Sequence, residues 1–313
     1  MAFPDIRKSR KWLSPQEIRF LVLVLILLVG MLAGNVFLSR TFPGGEWLFL
    51  RWSGARAFLI EKIGPYSTEI AQRTQEVAYG RPGFSSEYGY VLNDPFYLVL
   101  LYTPLAFIQD FTLVRGIWML LSEVALIGIV LLALNLSEWQ PPRGLYAFLV
   151  VFGLFSYFSL NALATGTPAI LLTFLYLWIL VALRSHLDEL VGILLPLIAY
   201  QWEVSGLFFL FILLFVLVNR RWKVLVGFAM SLSILLIVSF LVYPGWGLPY
   251  VRAVLSDWYR GANLTFGYML TSRLPDLRFP IGRIVPIVLG VIMFIEWLGA
   301  FGGPFRRVVW AAS

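Results

Sequence analysis

Glu46 follows Pro43-Gly44-Gly45 directly after a long apolar stretch. A carboxylate in that place can take a proton from a hydroxyl as a general base. The two glycines allow the tight turn that would hold it at a membrane–water boundary. The same pattern also suits a structural role, because a helix dipole favours an acid in the first turn. Asp94, in YVLNDPFYLVLL, is a second candidate acid. It reads more readily as the cap of a helix with Pro95 in its first turn. Gln201-Trp202-Glu203 interrupts an otherwise apolar run. A carboxylate buried there needs a partner, and Arg51, Arg56, Arg252 and Arg260 are the conceivable ones.

A later polar stretch, YPGWGLPYVRAVLSDWYRGANLTFGYMLTSRLP, mixes Trp246, Tyr250, Trp258, Tyr259 and Tyr268 with Arg252, Asp257, Arg260 and Asn263. Aromatic residues belong at membrane interfaces in any case. Beside arginine and asparagine they also suit a sugar ring carrying a phosphate. Asn135-Leu-Ser137 and Asn263-Leu-Thr265 match a glycosylation sequon, which matters only in a secretory pathway.

Composition narrows the chemistry. Hydrophobic residues are 60% of the chain, charged residues 13%, and the mean hydropathy is +0.83. A soluble domain carries about 25% charged residues, so this is a polytopic membrane protein. The net charge of +7 gathers at helix ends: Arg7, Lys8, Arg10 and Lys11, then Arg220, Arg221 and Lys223, then Arg306 and Arg307. That is the distribution of cytoplasmic ends, and it fits anionic lipid headgroups rather than nucleic acid. No cysteine is present, and the one histidine, His186, lies in the polar turn RSHLDE and reads as a solvated loop residue. Thiolate nucleophiles and Cys/His zinc sites are excluded. No GxxxxGK(S/T), GxSxG, HExxH or DxD occurs, so neither ATP hydrolysis nor a serine or zinc hydrolase is supported. No metal and no cofactor is expected.

The elements that would position these groups follow from apolar length. Residues 1–17 form a basic cytoplasmic tail with no cleavable signal, 18–303 one transmembrane domain, and 304–313 a cytoplasmic tail. The first helix, about 18–38, carries Gly30-Met-Leu-Ala-Gly34, a spacing for close helix approach within the chain or between copies. Further spans are expected at 95–109, 112–134, 145–160, 167–183, 190–218, 222–243 and 283–303. The segment 190–218 is either one kinked crossing or two half-helices. With the N-terminus and the NRRWK turn both cytoplasmic, an odd number of crossings lies between Asp94 and Asn219, so the total is about eight, with nine as the alternative. Loops 39–94 and 244–282 then lie outside. The first holds six basic and six acidic residues. Within it, 46–63 reads as an interfacial helix with Trp47, Leu48, Trp52, Ala55 and Leu59 toward lipid and Arg56 and Glu61 toward water. Pro65-Tyr66-Ser67 breaks that helix, and Ser67 can cap a second one with Glu69 in its first turn. The fold class is an all-α transmembrane bundle with short interfacial helices.

This order of features resembles the GT-C-type glycosyltransferases that use polyprenyl-phosphate sugars, and most of all glycosyltransferase family 87, which contains mycobacterial alpha-mannosyltransferases. The resembling stretches are FPGGEWLFLRWSGARAFLIEKIGPYS (42–67), DPFYLVLLYTPLAFI (94–108), GTPAILLTFLYLWILVALR (166–184) and GILLPLIAYQWEVSGLFFLFILLFVLVNRRW (192–222). The resemblance implies a GT-C fold in a bacterial plasma membrane. It implies transfer of a mannose-like hexose from a polyprenyl-phosphate donor to a lipid-linked or glycan acceptor on the outer face. The family's catalytic acid in the first outside loop falls on Glu46, and Pro-Tyr on Tyr66. Two departures stand out. The family's lysine at the half-helix break is replaced by Gln201-Trp202-Glu203, so Arg51, Arg56 or Arg260 would have to meet the donor phosphate. The chain is also short and lacks late helices of fuller members.

The expected machinery is therefore Glu46 and Asp94 as catalytic acids. Arg51, Arg56, Tyr66, Gln201, Glu203, Trp258 and Arg260 would line the substrate site. The alternatives are a lipid-linked saccharide transporter or binder, whose broken helix would centre on Glu203, and an accessory subunit of cell-envelope glycan assembly.

Overall fold

The computed structural model describes residues 14–84, 87–261 and 278–312; the side chains of 202–204, 259–261 and 278–283 lie outside that description. Among the described residues all regular structure is helical. Among the described residues four helices are long and apolar enough to cross a membrane: α1 (Pro15–Thr41), α6 (Phe111–Ser137), α12 (Trp222–Val242) and the Ile284–Phe301 part of α14 (Arg278–Phe301). A fifth crossing forms if α7 (Arg143–Phe155) and α8 (Tyr157–Thr165), bent by 40° at Ser156, act as one span. The chain is an integral membrane helix bundle.

Helix α1 starts with a capping box: Glu17 N–H donates to Ser14 Oγ, and Ser14 N–H to Glu17 Oε2. Nearly all of α1 faces outward, and Asn35 is its one buried residue. Asn35 Nδ2 donates to Glu123 Oε2 on α6 at 2.9 Å. Within the chain the expected close approach at Gly30 and Gly34 does not form, for a Cβ at either would meet nothing within 4 Å. The tight contact between α1 and α6 lies instead at Gly116, where an added Cβ would stand 2.6 Å from Val36. A second such contact joins α10 (Asp188–Ile198) to α12. A Cβ on Gly192 would meet the Val224 carbonyl oxygen at 2.5 Å and the Phe228 nitrogen at 2.6 Å.

Two expected elements differ from their sequence reading. The segment expected as a span at 95–109 folds as two short helices, α4 (Phe96–Leu101) and α5 (Thr103–Ala106), broken at Tyr102. Their ten residues are about half of what a bilayer crossing needs. Phe96, Leu98, Val99 and Ala106 are buried against protein, which explains the apolar run. The first-loop helix α2 (Glu46–Arg56) exists, followed by a π turn at Ala57–Glu61 that ends on left-handed Lys62. Its face is not lipid-directed: Leu48, Trp52 and Ala55 are buried against α4, α5 and α6. A stripe meant for the core has the same composition as one meant for lipid.

The segment 190–218 forms two helices, α10 and α11 (Trp202–Val218), broken at 199–201. The chain reverses at that break. Asp188 at the start of α10 and Asn219 at the end of α11 line one cavity, while Ala199, Tyr200 and Gln201 line another. Helix α9 (Ala169–Arg184) likewise runs from the second cavity to the first. The two cavities therefore lie at opposite ends of the bundle, called here the site end and the far end. The remaining helices are α3 (Thr68–Tyr79), α13 (Gly247–Gly261) and α15 (Phe305–Ala312), the last docked on α14 through Trp297 Nε1 donating to Ala311 O.

Candidate functional site

The site-end cavity has a volume of about 760 Å³. Five segments far apart in sequence build it: α2, the stretch before α4, the α8–α9 turn, the break between α10 and α11, and α13. Each is placed by a specific bond. Helix α2 begins after Gly44 and Gly45, whose φ of 127° and 84° few other residues adopt. Arg115, buried on α6, clamps that turn by donating to the carbonyls of Phe42, Pro43 and Ala164. Tyr97 Oη donates to the Pro196 carbonyl in the last turn of α10, where helix carbonyls lack internal partners.

Arg51 and Asp94 form the wall of the cavity as a buried ion pair, Nε to Oδ2 at 2.6 Å and Nη2 to Oδ1 at 3.1 Å. Arg51 also donates to the Trp47 carbonyl, and Tyr66 Oη donates to the Asp94 carbonyl. Burial opposes the charge on Arg51, but Asp94 and the facing tyrosine hydroxyls outweigh it and hold its pKa above the ordinary range. Burial, reinforced by Asp94, pushes the Tyr66 hydroxyl up, so it stays a neutral donor. Asp94 is not a helix cap: α4 starts at Phe96 with Pro95 in the cap position, and the carboxylate turns away to Arg51.

Asp257 on α13 is the other carboxylate in the cavity. It accepts from Tyr88 Oη at 2.7 Å and from Asn93 Nδ2 at 2.6 Å, which ties α13 to the stretch before α4. A carboxylate has about four acceptor positions, so lone pairs remain for a ligand. Gln201 lines the cavity, and its Oε1 is buried without a hydrogen bond among the described residues. Trp47, Tyr250 and exposed Trp258 supply aromatic faces, and Asn161, Thr165 and Thr167 further polar groups.

Glu46 is the first residue of α2 and is half-buried. It is not among the residues lining the cavity, but the next residue, Trp47, is. So are Thr165 and Thr167, which flank Gly166, and Gly166 packs on Gly45. The Glu46 carboxylate makes no hydrogen bond to another side chain and no ion pair among the described residues. Burial raises its pKa, and its own backbone N–H and the Arg115 charge only partly offset this. Burial, with the Glu46 charge second, pushes the nearby Tyr90 hydroxyl up to about 12.

Of the other expected residues, Gln201 and Trp258 line the cavity, as Arg51 and Asp94 do. Tyr66 stands behind Asp94. Arg56 does not reach the cavity; it donates to the Ala106 carbonyl and lies 5.7 Å from the Trp52 ring. The side chains of Glu203 and Arg260 lie outside the described residues. Sequence reading gave no role to Tyr88, Asn93 and Tyr200 and named Asp257 only within the later polar stretch; their meeting depends on tertiary structure. It also passed over Arg115 and Glu123, although ionisable residues inside an apolar span are a recognisable signal.

Neither a curated protein nor a solved structure matches the chain. The model of glycosyltransferase family 87 matches residues 92–312, which takes in Asp94, the α10–α11 break and Asp257. With that match covering more than half of its length, and a cavity of carboxylates, amides and aromatic faces at one end of a membrane helix bundle, the chain belongs to glycosyltransferase family 87.

Proposed function

We propose that the site-end cavity transfers a hexosyl group, mannose-like, from a polyprenyl-phosphate sugar to a hydroxyl of a lipid-linked or glycan acceptor. The observation that carries this reading is the half-buried Glu46 carboxylate, which makes no hydrogen bond to another side chain and no ion pair among the described residues, beside a cavity walled by Arg51 and Asp257. The acceptor oxygen attacks the anomeric carbon while the bond from that carbon to the phosphate oxygen breaks. The polyprenyl phosphate leaves with the electron pair, the acceptor proton passes to Glu46, and the configuration inverts. A raised pKa suits Glu46 to this task, because a base works best when its pKa lies near the working pH.

Arg51 is the cation at the cavity wall. Three of its N–H groups are engaged by Asp94 and Trp47, and two remain for the departing phosphate. Asp257 and Gln201 accept sugar hydroxyls, and Trp258 offers a ring face. Asp94 holds Arg51 in place and maintains its charge.

In this reading α9, α11 and the short α10, whose 11 residues run between the two cavities, complete the crossings, about eight in all with α1, α6, the α7–α8 pair, α12 and α14. An even number puts both chain ends on one side. The basic far end is then cytoplasmic and the cavity faces outward, in a bacterial plasma membrane. The test is sugar transfer from labelled polyprenyl-phosphate hexoses in proteoliposomes of the purified chain. Transfer from at least one such donor is expected. Label that crosses the bilayer without being transferred would make the chain a carrier instead.

A further inference from the structure

At the far end the α9–α10 turn and the α11–α12 turn meet around a second cavity of about 670 Å³. Arg221 fastens them. Its Nη1 donates to the Leu183 carbonyl at 2.8 Å, it pairs with Asp188, and Nη2 lies 3.3 Å from His186 Nδ1. Among the described residues Asp188 is the only acid lining this cavity, and it is paired with Arg221. Arg184 also lines the cavity and is matched by Glu138 at 2.6 Å. Two lining cations are left over. The side chains of Arg220 and Lys223 are exposed and make no ion pair among the described residues.

We propose that this cavity binds the phosphate headgroup of an anionic phospholipid. Two unmatched cations at the end of a membrane bundle favour a phosphate diester over a zwitterionic headgroup. The other wall is apolar, formed by Phe215, Phe301 and Phe305, and it gives an acyl chain a surface beside the charge. Trp222, next to Arg221, is 55% exposed and Trp310 is 80% exposed, as tryptophans at a headgroup boundary are. Helix α15 buries Val308 against the bundle and exposes Arg306, so one short helix presents apolar and basic sides together. The ligand would bridge the two turns from which α10 and α12 start.

This site is independent of the sugar-transfer chemistry. Helix α9 alone, with 16 residues, separates the cavities by about 24 Å at 1.5 Å per residue.

The test is thermal unfolding of the full-length protein in neutral detergent, titrated with phosphatidylglycerol, with phosphatidylcholine, or with inorganic phosphate. Phosphatidylglycerol is expected to raise the unfolding temperature in a saturable, salt-sensitive way, and phosphatidylcholine to leave it unchanged. The Arg220→Gln/Lys223→Gln variant should need about 30-fold more phosphatidylglycerol for half the effect, the factor that two cations near a membrane surface supply. Lys223→Gln alone should give an intermediate requirement, which keeps the test open if the double variant does not fold. Equal titrations for wild type and variants would overturn the proposal. Full stabilisation by inorganic phosphate alone would overturn the lipid as its ligand.

Discussion

Arg51 and Asp94 are 43 residues apart in the chain and are joined by two bonds at 2.6 and 3.1 Å, with their side chains only 5% and 2% exposed. The pair fixes α2 to the segment leading into α4, and so fixes one wall of the cavity. A buried pair of this kind adds little net stability, but breaking it leaves a charge without a partner.

Removing one member should therefore be costly. Arg51→Ala or Asp94→Ala is expected to lower unfolding stability by about 3–5 kcal/mol. Arg51→Lys should recover only part of this, because a lysine cannot reproduce the two-pronged contact. Chemical or thermal unfolding in detergent, followed by tryptophan fluorescence, measures it. Single variants as stable as wild type would show that the pair does not hold the wall.

Glu46 should act on stability with a definite sign. Its folded-state pKa is raised, so its contribution is fully present below the ordinary glutamate range and is lost as pH rises through the folded value. Glu46→Gln removes the group that must ionise in a half-buried place. The variant is expected to unfold at a higher temperature than wild type at neutral pH, with the difference closing in acid. A constant difference across pH would contradict the raised pKa.

The helix contacts make a paired prediction. Gly192→Ala drives a methyl into the Val224 and Phe228 backbone of α12, and about 1–3 kcal/mol of stability should be lost. Gly34→Ala meets nothing within 4 Å and should be near neutral. Parallel unfolding of the two variants checks this. A larger loss for Gly34→Ala would mean that α1 packs against a surface outside this chain.

Much of this fold is legible from apolar length. The spans α1, α6, α12 and α14 stand out because lipid contact needs long uninterrupted runs. The break at Gln201 shows as polar residues inside such a run, and Gly80 ends α3 in the left-handed conformation its lack of a side chain allows. What hydropathy cannot separate is burial in lipid from burial in protein. For that reason 95–109 reads as a span yet folds as α4 and α5, and the α2 stripe reads as lipid-facing yet packs on α5 and α6. Of the site, Arg51, Asp94, Gln201 and Trp258 are legible as polar or aromatic residues near predicted helix ends. Asp257 is not, because its role rests on bonds to Tyr88 and Asn93, 169 and 164 residues away in the chain.

Asp257 and Glu46 should separate kinetically. Asp257→Asn keeps the shape but weakens an acceptor of sugar hydroxyls, so KM for the donor is expected to rise about tenfold with kcat changed less. Steady-state transfer kinetics give both constants. A fall in kcat alone would make Asp257 part of the proton transfer instead.

The most direct measurement is kcat for sugar transfer by Glu46→Gln in proteoliposomes, with a polyprenyl-phosphate hexose as donor. A general base at residue 46 predicts a loss of about 100-fold or more in kcat with KM little changed. Undiminished turnover in that variant would contradict it.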